Sequence, residues 1–186
     1  MIELTDINFL LIQLEKTISF TNSKGYLNLQ NGIDLEEFKQ NQNLELLFSE
    51  DLIAFYKWRN GTAFIRDLSL DQLEIFDGGI FYPIEFSIEV YSYFSRFYES
   101  KFLPICGNGD TINYTICLDK ESSEYNSIFY EAYFIDEPIK MFHSLKGFLG
   151  FIIECYESRA YEVNADGKIV CDLEKEKRIR SKYFLK

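Results

Sequence analysis

With 186 residues, 47% of them hydrophobic and 17% aromatic, the chain can bury a core of its own, which excludes a disordered protein as the starting reading. Its net charge of −11, from 19 basic and 30 acidic residues, argues against nucleic acid or an anionic membrane as partner. The charge is uneven: from Lys168 onward there are 7 basic and 3 acidic residues, leaving 12 and 27 before it, so a body near −15 carries a tail near +4.

Ile7, Leu10, Leu11, Leu14 and Ile18 recur at helical spacing behind Thr5 and Asp6, either of which can cap, and predict a first amphipathic helix ending near Phe20. Residues 21–32 are polar, with a short extended piece expected over 26–29. Asp34 is placed to cap a brief helix through Phe38, and 40–43 reads as a loop. Ser49, followed by Glu50 and Asp51, opens a helix whose apolar side is Leu52, Ile53, Phe55 and Tyr56, and Asn60-Gly61 stops it. Trp58, in its last turn, has two readings, half-buried packing or an exposed anchor for a partner.

Residues 63–68 and 73–76 are weak strand candidates. Asp77-Gly78-Gly79 is a turn, Ile80-Phe81-Tyr82 a strand that Pro83 ends, and 87–100 a helix carrying Ile88, Tyr91, Phe94 and Tyr98. The stretch 102–119 is the centre of the sequence. It reads as an apolar strand, a tight Gly107-Asn108-Gly109-Asp110 turn, and a second strand with Ile112, Tyr114, Ile116 and Leu118 on one face. The acidic loop 120–126 leads to a long aromatic strand over 128–135. Between 121 and 137 the charged residues are Glu121, Glu124, Glu131, Asp136 and Glu137, with no Lys or Arg among them.

Ser144 caps a final strong helix whose stripe is Leu145, Phe148, Leu149, Ile152, Ile153 and Tyr156, with Gly147 and Gly150 expected to allow close packing on the sheet. Asn164-Ala165-Asp166-Gly167 turns between Tyr161/Val163 and Ile169/Val170, and 171–182 reads as a solvated terminal helix. No repeat or linker divides the chain, which predicts one α+β domain over 1–186, with a mainly antiparallel or mixed central sheet and helices packed on it.

Chemistry is sparse. One histidine, His143, precludes a multi-histidine metal site, and Gly107–Asp110 matches neither a P-loop nor a dinucleotide fingerprint. The acidic loops lack calcium-loop spacing. No cofactor or metal is expected. Cys106, Cys117, Cys155 and Cys171 form no Cys-x-x-Cys pair, and no run approaches transmembrane length. The N-terminus lacks signal-peptide character, so the expectation is a cytoplasmic protein with reduced thiols.

Several segments together resemble the SUKH superfamily, which includes yeast cell-wall-assembly regulators and bacterial immunity proteins encoded beside toxins. They are the run from Phe48 through Trp58-Arg59-Asn60-Gly61, Ile80-Phe81-Tyr82-Pro83, the Leu103-Pro104-Ile105 strand with its Gly/Asn/Asp turn, the aromatic strand after it, and the final Phe-rich helix. The likeness covers Phe48 to the C-terminus and leaves the N-terminal helix outside. It departs from the family where Thr111, Ile112 and Asn113 intervene between the Gly-Asp pair and Tyr114. What the resemblance implies is a non-catalytic, protein-binding domain, an immunity protein that neutralises a cognate toxin. The alternatives are a regulatory or scaffold domain without a toxin, and an enzyme of unrecognised type. The acidic body suits a basic, nuclease-type partner, for which Asp110, Glu121, Glu124, Glu137 and Trp58 are the candidate contacts.

Overall fold

The computed structural model describes residues 6–42, 46–93, 97 and 101–184. Asp6 Oδ1 accepts the backbone N–H of Asn8 at 3.0 Å and opens helix α1 (Ile7–Thr21), which buries Ile7, Leu11, Leu14 and Ile18; Thr5, the other cap candidate, lies outside the described residues. Those four side chains join the main hydrophobic cluster, so α1 is part of the core. The short helix α2 (Ser23–Leu27) takes Tyr26 and Leu27, the first half of the segment expected to be extended, and strand β1 begins at Leu29 (Leu29–Asn31). Asn22 causes this shift, because its Oδ1 accepts the N–H of Gly25 at 3.0 Å and caps a helix. Asp34 Oδ1 takes the N–H groups of Glu36 and Glu37, both at 3.0 Å. The resulting helix α3 (Leu35–Gln42) runs through Gln40 and Gln42, where a loop was expected, since Lys and Gln are good helix formers; Asn43 is outside the described residues.

Ser49 caps α4 (Glu50–Trp58) through Leu52 N–H at 3.2 Å. The chain then passes directly into β2 (Arg59–Thr62), which pairs antiparallel with β1. Asn60-Gly61 therefore begins a strand as well as ending a helix. Asn60 Oδ1 holds the N–H of Ile84 at 2.9 Å, a long-range bond with no local sequence signal. The two weak strands at 63–68 and 73–76 do not form. That region holds one 3-10 turn (Leu70–Gln72) and a single bridge between Phe76 and Gly79.

The central sheet has five antiparallel strands in the order β3 (Ile80–Phe81), β4 (Phe102–Gly107), β5 (Ile112–Cys117), β6 (Ile128–Ala132) and β7 (Ile139–Phe142). Its middle is the predicted hairpin with the predicted aromatic strand beside it. That strand stops at Ala132, the cross-strand partner of Ile112 where β5 begins, with one further bond from Tyr133 N–H to Thr111 O at 3.0 Å. Helix α5 (Ile84–Tyr93) starts immediately after Pro83, not at 87; Phe94 and Tyr98 lie outside the described residues.

Helix α6 (Leu145–Glu157), capped by Ser144 Oγ on Gly147 N–H at 3.1 Å, supplies the largest apolar face. Phe148 stacks on Tyr114 of β5 with ring centroids 5.7 Å apart, so α6 covers that face of the sheet. Asn113, one residue earlier, points to the opposite face, where α5 lies. Gly147 and Gly150 do not serve the sheet: a Cβ on Gly150 would stand 3.1 Å from Tyr183, and one on Gly147 would meet only the Ser144 cap. Hairpin β8 (Tyr161–Val163) and β9 (Ile169–Cys171) precedes α7 (Leu173–Phe184). This last helix is not fully solvated. Ile179 is buried, Arg180 lies 5.8 Å above the Phe151 ring, and Tyr183 donates to Glu154 at 3.0 Å.

Candidate partner-binding surface

The tip between β4 and β5 is fixed from within. Asn108 Oδ1 accepts the N–H groups of Asp110, Thr111 and Ile112 at 3.0, 3.0 and 2.9 Å. Gly107 and Gly109 both have positive φ, at 156° and 75°. The Gly109 N–H donates to Tyr82 Oη at 3.0 Å, and the Tyr82 hydroxyl donates to Asn113 Oδ1 at 3.1 Å. Burial pushes the Tyr82 phenol well above its ordinary range, so it stays a neutral donor. Asp110 thus stands exposed on a hairpin that has little freedom left to lose on binding.

Exposed apolar side chains flank this tip on both sides. Tyr133, whose N–H donates to Thr111 O at 3.0 Å, is 83% exposed, and Phe134 after it is 73% exposed. Asp136 and Glu137 follow, both exposed, in the connection to β7. Across the tip, Phe86, Glu89, Val90 and Tyr93 of α5 form a groove of about 260 Å³ with Gly109, Asp110 and Asn113. Phe86 meets the exposed Phe64 edge-to-face at 5.2 Å. Exposed aromatic side chains of this kind are enriched at protein contacts, and the carboxylates around them suit only the polar rim of such a surface.

Glu121 and Glu124 are not at this end. They follow β5, whereas Asp110 precedes it, and a six-residue strand separates its ends by roughly 17 Å. At their end the folded chain brings lysines in. Lys140 pairs with Glu124, Lys101 pairs with Asp119 at 3.0 Å, and Lys120 adjoins Glu121. The Lys140 bond holds the Glu124 carboxyl below its usual range. The stretch that is purely acidic in sequence is therefore split, and only the portion with Glu137 lies at the same end of the sheet as Asp110. Glu131, the acidic residue between, is buried and accepts a hydrogen bond from Thr115 at 3.0 Å.

Trp58 is half-buried, its ring against Phe55 and Phe81 at 6.1 and 6.5 Å, and its indole N–H donates to Glu15 Oε2 at 2.8 Å. Arg59 also binds Glu15, at 2.6 Å. Burial opposes ionisation of Glu15, but the hydrogen bonds from Trp58, Arg59 and Tyr26 outweigh it and hold the carboxyl below its ordinary value. Trp58 ties α4 to α1, and it does not line the hairpin groove.

A cleft of about 550 Å³ lies between the start of α4 and the 120–126 loop. It is lined by Phe48, Ser49, Glu50, Asp51, Lys120, Tyr125 and Asn126, and Ser49 Oγ there accepts the Leu52 N–H as the helix cap. Among the described residues no group of three or more His, Cys, Asp or Glu could hold a metal ion, and no helix is long and apolar enough to cross a membrane. His143 is exposed just ahead of the Ser144 cap. Cys106, Cys117 and Cys155 are buried and unpaired, and Cys171 is half-buried and unpaired.

Sequence reasoning missed Tyr133 and Phe134 as surface groups, because an unbroken apolar run over 128–135 reads as one strand. The Asp136-Glu137-Pro138 turn, and the shorter length of the partner strand, were the signals available. It also missed Glu89 and Tyr93, whose meaning depends on where α5 lies against the hairpin. Comparison of the sequence with protein-family models and with curated proteins finds no match.

Proposed function

We propose that this chain is a non-catalytic protein-binding domain, an immunity protein of SUKH type whose partner is a basic toxin domain of the nuclease kind. The observation that carries the reading is the hairpin end of the sheet, where the exposed Tyr133 and Phe134 adjoin Asp110, Asp136 and Glu137. The sequence resemblance over Phe48 to the C-terminus supports a binding domain of SUKH type, a class that holds both immunity proteins and scaffold-like regulators, and the acidic hairpin end favours the former. Apolar anchors supply desolvated contact, and the carboxylates steer a cationic surface toward it and present a negative face to a site built for phosphates.

The test is association with the product of the neighbouring gene, followed by stopped-flow or surface kinetics. Raising salt from about 0.05 to 0.5 M shortens the screening length from roughly 14 to 4 Å, so the association rate should fall by about tenfold or more. Tyr133→Ala with Phe134→Ala should accelerate dissociation at least tenfold. Absence of binding, or binding indifferent to both salt and the double substitution, overturns the reading. A regulatory domain without a toxin would use the same surface, and a neighbour without a toxic catalytic module would favour that alternative.

A further inference from the structure

We infer that the groove between α5 and the hairpin tip receives an arginine side chain of the protein partner, a step that rests on the protein-binding reading above. Phe86, Val90 and Tyr93 stand at i, i+4 and i+7 of α5 and make one wall. Gly109 and Asn113, both fixed through the Tyr82 hydroxyl, are on the hairpin side. Glu89 from α5 and Asp110 from the hairpin both line the groove, and both are exposed. Among the described residues that line the groove there is no Lys or Arg.

Each feature selects for a guanidinium. It is planar and weakly hydrated, it stacks on aromatic rings, and its fork of N–H donors can serve two carboxylates at once. An ammonium is a more strongly hydrated point charge and would gain less from the Phe86 and Tyr93 walls. The volume of about 260 Å³ is below the roughly 300–1,000 Å³ typical of small-molecule sites and suits a single side chain. A second copy of this chain is the less fitting occupant, because its net charge is −11 and it would bring further carboxylates to Glu89 and Asp110.

The probe is N-acetyl-arginine methylamide, titrated into uniformly ¹⁵N-labelled full-length protein, beside its lysine and citrulline counterparts. The amide signals of Gly109, Asp110 and Asn113 should shift saturably with the arginine probe, with a dissociation constant on the order of 1–10 mM. The lysine probe should bind at least threefold more weakly, and the uncharged citrulline probe should leave these signals in place. Glu89→Gln with Asp110→Asn should weaken the arginine probe fivefold or more, and Glu121→Gln should not. Equal responses to arginine and citrulline, or no response, overturn the inference. Signals that move with protein concentration alone assign the groove to a second copy and also overturn it. The same double variant separates this inference from the functional reading. A neighbouring gene product that binds it as tightly as the wild type removes the arginine site and leaves the protein-binding reading standing. A groove that takes the arginine probe, in a protein that binds no neighbour product, retains its guanidinium preference and removes the reading.

Discussion

At the turn of the central hairpin, Gly107 and Gly109 are irreplaceable for different reasons. A Cβ on Gly107 would lie 2.1 Å from the carbonyl oxygen of Ile112 and 2.4 Å from Tyr82 Oη, so both the strand register and the tyrosine that fixes the tip would have to move. A Cβ on Gly109 would meet only Leu70 Cδ1, at 3.3 Å, and the obstacle there is the φ of 75°. Gly109→Val should therefore lower stability by about 1–3 kcal/mol through backbone strain, and Gly107→Val by more, on the order of 3–5 kcal/mol. Urea midpoints check this, and equal values for the two variants would refute the distinction. A second residue makes the fold sensitive to pH. Glu74 is raised from 4.5 to about 7, by burial first and then by the carboxylates of Asp77 and Asp71. The folded protein keeps a proton that the unfolded chain releases near 4.5, so this contribution is fully present below that pH and is lost as pH rises through about 7. Glu74→Gln should flatten stability across this window and, allowing for solvent screening of a half-buried group, raise it at pH 8 by about 1 kcal/mol. Denaturant midpoints at pH 5 and pH 8 for both proteins are the measurement.

Elements with their own periodic signal were legible in the sequence. The stripe of α6, the caps at Asp6, Asp34, Ser49 and Ser144, and the hairpin turn are all present where local chemistry places them. Each depends on neighbours within a few residues. What could not be read depends on distant ones. β2 exists because Leu29–Asn31 supplies a pairing edge and Asn60 ties itself to Ile84, and neither fact is visible around Asn60-Gly61. The terminal helix looks solvated because its charged residues dominate the composition. Yet Ile179, Arg180 and Tyr183 fall on one face and seal α6. The candidate surface divides in the same way. Asp110 on its turn could be placed from sequence, whereas the company it keeps could not. Tyr93 and Glu89 come to it from α5, Tyr133 from the end of β6, and Glu121 and Glu124 leave it because an intervening strand carries them to the opposite end.

On the scale of the whole molecule, folding redistributes the charge that the sequence shows as a body near −15 and a tail near +4. Two tail lysines pair with the body, Lys168 with Asp71 and Lys182 with Glu154, while Arg180 pairs with Glu176 inside the tail. The loop end of the sheet gathers Lys101, Lys120 and Lys140 around Asp119, Glu121 and Glu124, three charges of each sign. Asp110, Asp136, Glu137 and Glu89 at the hairpin end have no ion pair with Lys or Arg among the described residues' salt bridges. The field that a basic partner meets is therefore directional, and charge reversal at the two ends should be unequal. Asp110→Lys with Glu137→Lys should slow association with the neighbouring gene product by about tenfold at 0.05 M salt, and the loss should shrink as salt screens both proteins alike. Glu121→Lys with Glu124→Lys makes the same change in net charge and should slow association only about two- to threefold, through the long-range term alone. Because exposed charges contribute little to stability, the hairpin pair should leave the urea midpoint close to that of the wild type. Equal slowing by the two pairs would mean that net charge, not its placement at the hairpin end, governs the encounter.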